Sequence, residues 1–254
     1  MSEDHKYRAR IFLHRGDLVQ ARAAWEAAVA DDRAVDNQHE LSNSLGNLGN
    51  TCALMNDYEA AERCYREILD LQRIERNQHA IAHTLVNLGN LHVGADHPEK
   101  ARPYYFEALD LLRTLKDDRA LGILYNNLAL QEAREQQWEQ AFASFTQALD
   151  CHRVVGNEEG LAVTYSQMGK CFLDQGDLTR AERCLNNASE HYIKLGNEPA
   201  EAAVLRLLGS LYQQRNDPIS ACRCLERVVQ IDKRYHLPES HGDEIHLSRL
   251  SPKE

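Results

Sequence analysis

The chain has no long apolar run. No window of its 254 residues approaches the ~20 consecutive apolar positions that a membrane-spanning helix needs, so membrane insertion is not expected. The start, Met1-Ser2-Glu3-Asp4-His5-Lys6, lacks the apolar core of a secretory signal. There is no excess of positive charge. The 29 Lys and Arg against 39 Asp and Glu give a net charge of -10, and no basic block is present to follow a phosphate backbone, so nucleic acid is not an expected ligand. Seven cysteines, an odd number, make no disulfide framework. Reduced thiols and a cytoplasmic setting are expected. Period-two alternation is missing, so no sheet is expected.

The motifs of catalysis are missing too. Gly46 and Gly49 fall on a helical pattern and not at the strand-to-helix turn of a phosphate loop. His79 and His83 have i, i+4 spacing without the glutamate of the metalloprotease motif. Cys222 and Cys224 are two apart, which on a helix sends them to different faces. No nucleophile can be given a base. The chain is read as non-enzymatic, with no metal and no cofactor.

What is there is a register of 40 residues. Ala21, Ala61, Ala101, Ala141, Ala181 and Ala221 fall in step, followed four residues later by Trp25, Tyr65, Tyr105, Phe145, Leu185 and Leu225. A second series runs Leu48, Leu88, Leu128, Met168, Leu208, each followed by Gly or Ala. A strict period in this range marks a stacked-repeat architecture. Within residues 41–80, Leu45, Leu48, Gly49 and Cys52 make one helical stripe, and Ala61, Tyr65, Ile68 and Leu69 make a second. Between them, Asn56-Asp57 supplies a turn and an N-cap. Each unit is expected to be a helix A, a tight turn and a longer helix B. Gly or Ala after the helix-A Leu allows B to approach closely. Gly156 and Gly196 suit left-handed helix ends. Pro103 falls inside the third helix B, which implies a kink or a later start.

Leu48-Gly49, Ala61, Tyr65 and Ile68, with Ala108 and Ala148 in the following repeats, resemble the tetratricopeptide repeat (TPR) pattern. Asn-Leu-Gly-Asn at 47–50 and 87–90 is similar to the long-repeat type of Pins/LGN scaffolds. Kinesin light chains and Rap-type receptors also use long units. The resemblance implies an all-α, right-handed TPR superhelix, an α-solenoid of about six helix-turn-helix repeats. The expected repeats are 1–40, 41–80, 81–120, 121–160, 161–200 and 201–236, uninterrupted by a domain boundary. Residues 237–254 are expected to be a polar tail, or a short capping helix through Ile245, Leu247 and Leu250.

The resemblance also puts helix A on the concave face. Asn47, Asn87, Asn127 and Gln167 share one helix-A position, with Asn50 and Asn90 three residues on and Asn126 beside the series. Asparagine is a poor helix-interior residue. A row of carboxamides can grip the backbone of an extended peptide. Together with Asn43, and with His83, Arg134, Lys170 and Arg206 for specificity, these residues form the expected peptide-binding groove. The rival role for the amides is to bridge adjacent A helices. The carboxylate clamp of chaperone-binding TPRs aligns with Lys6, Arg10, Asn47, His83 and Asn87, of which Lys6 and Asn47 match, so that activity is not expected. The expected function is a protein-protein interaction scaffold or adaptor. The alternatives are a Rap-like peptide sensor and a scaffold that self-assembles into a homo-oligomer through its end repeats.

Overall fold

The structure is a computed structural model and describes residues 2–236 together with Asp243 and Leu247. Of the expected capping segment, Ile245 and Leu250 lie outside the described residues, and Leu247 is described as helical.

Twelve helices follow one another among the described residues. They are α1 (Ser2–His14), α2 (Leu18–Ala34), α3 (Gln38–Leu54), α4 (Tyr58–Glu75), α5 (Gln78–Gly94), α6 (Pro98–Leu115), α7 (Asp118–Arg134), α8 (Trp138–Val154), α9 (Glu158–Asp174), α10 (Leu178–Leu195), α11 (Glu198–Gln214) and α12 (Pro218–Tyr235). Odd numbers are A helices and even numbers are B helices, giving six helix-turn-helix repeats. The expected all-α class holds.

The turns recur every 20 residues, half the sequence period. Backbone φ is positive at Gly16, Asp36, Asn56, Arg76, Asp96, Lys116, Gln136, Gly156, Gly176, Gly196, Asn216 and His236. The next residue caps the following helix. Asp17, Asn37, Asp57, Asn77, Asp117, Asn157, Asp177, Asn197 and Asp217 each accept the N–H three residues on, at 2.9–3.2 Å. His97 and Gln137 occupy the same place without a side-chain cap bond. Equal spacing limits the expected greater length of helix B to a single residue. From α2 onward the A helices span 17 residues and the B helices 17 or 18. Pro103 does not delay its helix, because α6 starts in register at Pro98 and runs through Pro103.

The helices form two compact units, one reaching to Ala120 and the other beginning at Leu121. The division falls within the first turn of α7. In the first unit each of α1–α5 packs on the next helix in the chain. In the second, each of α8–α11 does so.

The six register alanines are fully buried, and so are the large residues four positions on. The small residue on helix A has the expected role. A Cβ at Gly49 would lie 3.2 Å from the Tyr65 ring, at Gly89 2.2 Å from Tyr105, and at Gly169 2.8 Å from Leu185. The cysteines are free thiols. Burial pushes the pKa of Cys64, Cys171 and Cys184 up to about 11, which suits packing and not reactivity.

Candidate functional site

In the first unit the buried stripes of α3 and α5 leave one polar face outward. Asn43 and Asn50 on α3 are exposed and Asn47 is half-buried. On α5, His83, Asn87 and Asn90 are exposed at the matching positions. Asn47 Nδ2 donates to the Asn43 carbonyl of its own helix at 2.8 Å. Asn50 and Asn90 have a packing role that the sequence reading missed. Tyr65 donates its hydroxyl to Asn50 Oδ1 at 2.5 Å, and Tyr105 donates to Asn90 Oδ1 at 2.7 Å. A phenol inserted between helices needs an acceptor, and an amide fifteen residues earlier supplies it. The signal was in the sequence. Where the helix-B residue has no hydroxyl, as in Phe145, Leu185 and Leu225, the partner position holds Leu130, Lys170 and Ser210.

Between these helices lies a cleft of about 450 Å³, lined by Asn50, Ala53, Leu54, Tyr58, Tyr65, Asn87, Asn90, Leu91 and Gly94. Its walls are mostly apolar and three carboxamides stand on its rim. His83 lies 3.8 Å from Asp117, which also has His79 at 3.6 Å.

A smaller cleft of about 350 Å³ is bordered by Lys6, Arg10, Asn43 and Asn47. Lys6 is not free to clamp an outside carboxylate. It is buried, with Glu40 at 2.5 Å, Glu3 at 3.2 Å and Asp32 at 3.3 Å. Burial opposes the Asp32 charge, but bonds from Ser2, Ser44 and Lys6 hold its pKa below the ordinary 3.8.

The second unit places its site residues differently. Asn126 is buried and its Oδ1 has no partner among the described residues, as is true of Gln167 Oε1. Asn127 is half-buried, while Arg134 and Lys170 are exposed. Arg206, expected among the specificity residues, is half-buried and paired within its own chain. It donates to both carboxylate oxygens of the fully buried Asp232, at 2.7 and 2.8 Å, and to Asp243 at 2.8 Å. Burial, and Asp243 beside it, push the Asp232 pKa up despite the guanidinium.

A third cleft, of about 1220 Å³, follows the A-to-B turns of this unit. It is bordered by Gln136, Trp138, Asp174, Asp177, Arg180 and Arg215, and by none of the residues singled out in the sequence. Phe142 and Phe172 stack beside it with centroids 4.0 Å apart, and the Arg180 guanidinium lies 4.5 Å from the Phe172 centroid. Trp138 was the available clue, since its register position holds Leu18, Pro98, Leu178 and Pro218 elsewhere and an aromatic only at Tyr58, which lines the cleft of the first unit. Among the described residues no group of three or more His, Cys, Asp or Glu is arranged to hold a metal, and no helix is long and apolar enough to cross a membrane.

Helix pairs in 40-residue register, closed by a small residue on A against a large one on B, define a helical-repeat protein that presents its A-helix side chains in rows. The tetratricopeptide repeat model matches residues 4–74, 120–194 and 160–234. The chain belongs to the tetratricopeptide repeat family. No curated protein matches it.

Among solved structures it is similar to BtubC (BKLC) from P. vanneervenii, at 20% identity over 87% of this chain and 92% of that one, with a TM-score of 0.78. A signal transduction ATPase with numerous domains and a tetratricopeptide repeat sensor, from Pyrococcus horikoshii, matches at 13% identity over 97% of this chain and 38% of that one, TM-score 0.77. The Rap conjugation gene regulator of plasmid pLS20, solved with the Phr* peptide, matches at 13% identity over 98% and 76%, TM-score 0.67. At these identities the likeness is one of fold.

Proposed function

We propose that this protein is a non-enzymatic, cytoplasmic interaction scaffold that binds an extended peptide segment along the face of its A helices. The observation that carries this reading is the cleft of the first unit. Leu54, Tyr58, Leu91 and Gly94 offer an apolar seat for one ligand side chain, and the rim amides of Asn87 and its neighbours can bond the ligand main chain. In the second unit, Asn126 and Gln167 hold buried oxygens without partners among the described residues, and such acceptors favour an N–H donor. Asn127, Arg134 and Lys170 are the remaining polar and charged groups in this reading, with Arg206 paired within its own chain. A peptide-sensing role is the second reading. It is favoured by the likeness to a Rap regulator solved with a peptide.

The test begins with a peptide selected from a random display library and its affinity by fluorescence anisotropy. Gly94→Leu, which fills the cleft, and the triple change of Asn47, Asn87 and Asn127 to Ala should each weaken binding about tenfold, or ~1.4 kcal/mol. Unchanged affinity in folded Gly94→Leu removes the cleft from the reading. Unchanged affinity in the folded triple variant removes the amides. A change in radius of gyration on peptide addition would favour the sensor over the passive scaffold.

A further inference from the structure

Helix α8 carries a buried imidazole, and the helices around it are shaped to its outline. His152 is 2% exposed. A Cβ on Gly122 of α7 would lie 2.5 Å from the ring, and a Cβ on Gly160 of α9 would lie equally close. At the Gly122 position the other repeats from the second onward hold Ser42, Ala82, Ala162 and Ala202. At the Gly160 position they hold Glu40, Ala80, Ala120 and Ala200. Glycine in a helix costs up to about 1 kcal/mol against alanine. Leu112, buried at the His152 position of the third repeat, has alanine at both places. The paired glycines therefore answer to the imidazole and not to burial in general.

The Asn157 carboxamide meets the ring and also caps α9. Its Oδ1 accepts the Gly160 N–H at 3.0 Å, which turns Nδ2 toward His152 Nδ1 at 3.3 Å. Nδ1 is then the acceptor, and the proton of the neutral ring sits on Nε2. A protonated ring would present an N–H at Nδ1 to another N–H. To accept from it, Asn157 must turn its oxygen round and release the α9 cap.

We propose that His152, Asn157, Gly122 and Gly160 form an acid-sensitive joint, in which protonation of the imidazole uncaps α9 and loosens its packing on α8. Among the described residues, no ionisable group on the surrounding helices acts on the ring as a counter-charge. Arg153 and Asp150 on α8 pair at 2.7 Å, and Glu158 at the start of α9, next to Glu159, pairs with His191 of α10 at 2.5 Å. On α7, Asp118 and Arg119 precede Gly122 by one turn. Burial is the cause that holds the His152 pKa below its ordinary 6.5. The sign follows from proton binding. The unfolded chain takes up a proton near 6.5 and the folded ring resists it, so the joint is at full strength above that pH and weakens as pH falls below it.

The test follows amide hydrogen exchange, corrected for intrinsic rates, from about pH 7.5 to about pH 5.5. In the wild type, exchange at Gly160 and Leu161 should rise on the order of tenfold. His152→Gln, which places there the residue found at the same position of the second repeat, should abolish that rise. His92→Gln, at a buried histidine of the first unit whose pKa burial also lowers, should leave it intact. An equal rise in wild type and His152→Gln overturns the joint. So does a ring titration midpoint at or above 6.5 by NMR, a measurement made on the wild type and independent of whether the variant folds.

Discussion

In the unit that ends at Ala120, the large helix-B residues are Trp25, Tyr65 and Tyr105. In the unit that begins at Leu121 they are Phe145, Leu185 and Leu225. The first set brings polar atoms into the core. Both tyrosine hydroxyls are met by an asparagine on helix A, while the buried Trp25 indole N–H has no partner among the described residues. Fifteen residues before Trp25 stands Arg10, which has no acceptor to offer. The second set brings no such atoms and releases the helix-A position to Leu130, Lys170 and Ser210. Spacing varies from pair to pair instead. A Cβ at Gly89 would strike the Tyr105 ring at 2.2 Å and one at Gly209 would meet Leu225 at an ordinary 3.7 Å, but Gly169 to Leu185 at 2.8 Å is tighter than Gly49 to Tyr65 at 3.2 Å. An exposed asparagine in a repeat row is thus not by itself a ligand contact, because its role depends on what stands fifteen residues later.

The end repeats carry the largest expected effect. Lys6–Asp32 and Arg206–Asp232 occupy the same two register positions, but Asp32 is held below its ordinary pKa and Asp232 above it. Asp32→Ala leaves Lys6 buried with fewer counter-charges and should cost about 3 kcal/mol in urea denaturation. For wild type, the Asp32 contribution is complete above 3.8 and is lost as pH falls below it, because the native carboxylate resists protonation.

Next comes packing. Gly89→Ala should destabilise by about 2 kcal/mol, while Gly209→Ala should be neutral or stabilise by up to about 1 kcal/mol, both read as shifts in thermal midpoint. Equal losses at the two glycines would break the contrast between these two helix pairs. Asn90→Leu should cost about 1–2 kcal/mol by removing the acceptor 2.7 Å from the Tyr105 hydroxyl. Adding Tyr105→Phe copies the Leu130/Phe145 pair and should restore most of that loss. A double variant no better than the single one would deny the asparagine its packing role. The smallest effect is at the turns. One of the six left-handed turn residues in the first unit is glycine, against three of six in the second. Lys116→Gly should therefore stabilise by about 0.5 kcal/mol in the same melts, since a side chain in that conformation is strained.

The fold was legible because its signals are local and repeated. Ala101 and its equivalents, and the Asn-Asp and Gly-Asp turns, each name a helix pair. The near-equal length of A and B helices was less legible. Asp36, Arg76 and Lys116 read as helix continuing, yet they hold the left-handed conformation that ends it. The site was legible as a face and not as a set of free groups. Asn87 and its cleft follow from helical periodicity, but the partners of Asn50, Asn90 and Arg206 lie 15, 15 and 26 residues away on another helix. The cradle of His152 was missed for the same reason, since Gly122 and Gly160 make sense only beside a ring from a third helix.

The left-handed residues at every twentieth position also govern how such a chain can change length. Excising residues 121–160 would join Ala120 to Leu161, and every turn that follows would still fall a whole number of twenties from the one before. Removing a single residue would put all later turns out of count with the stripes they close. Duplication and unequal recombination in blocks of forty are therefore near-silent edits of the backbone, while a one-codon slip is a disruptive one. For this protein, length can change in quanta, by whole repeats, without redesigning any turn.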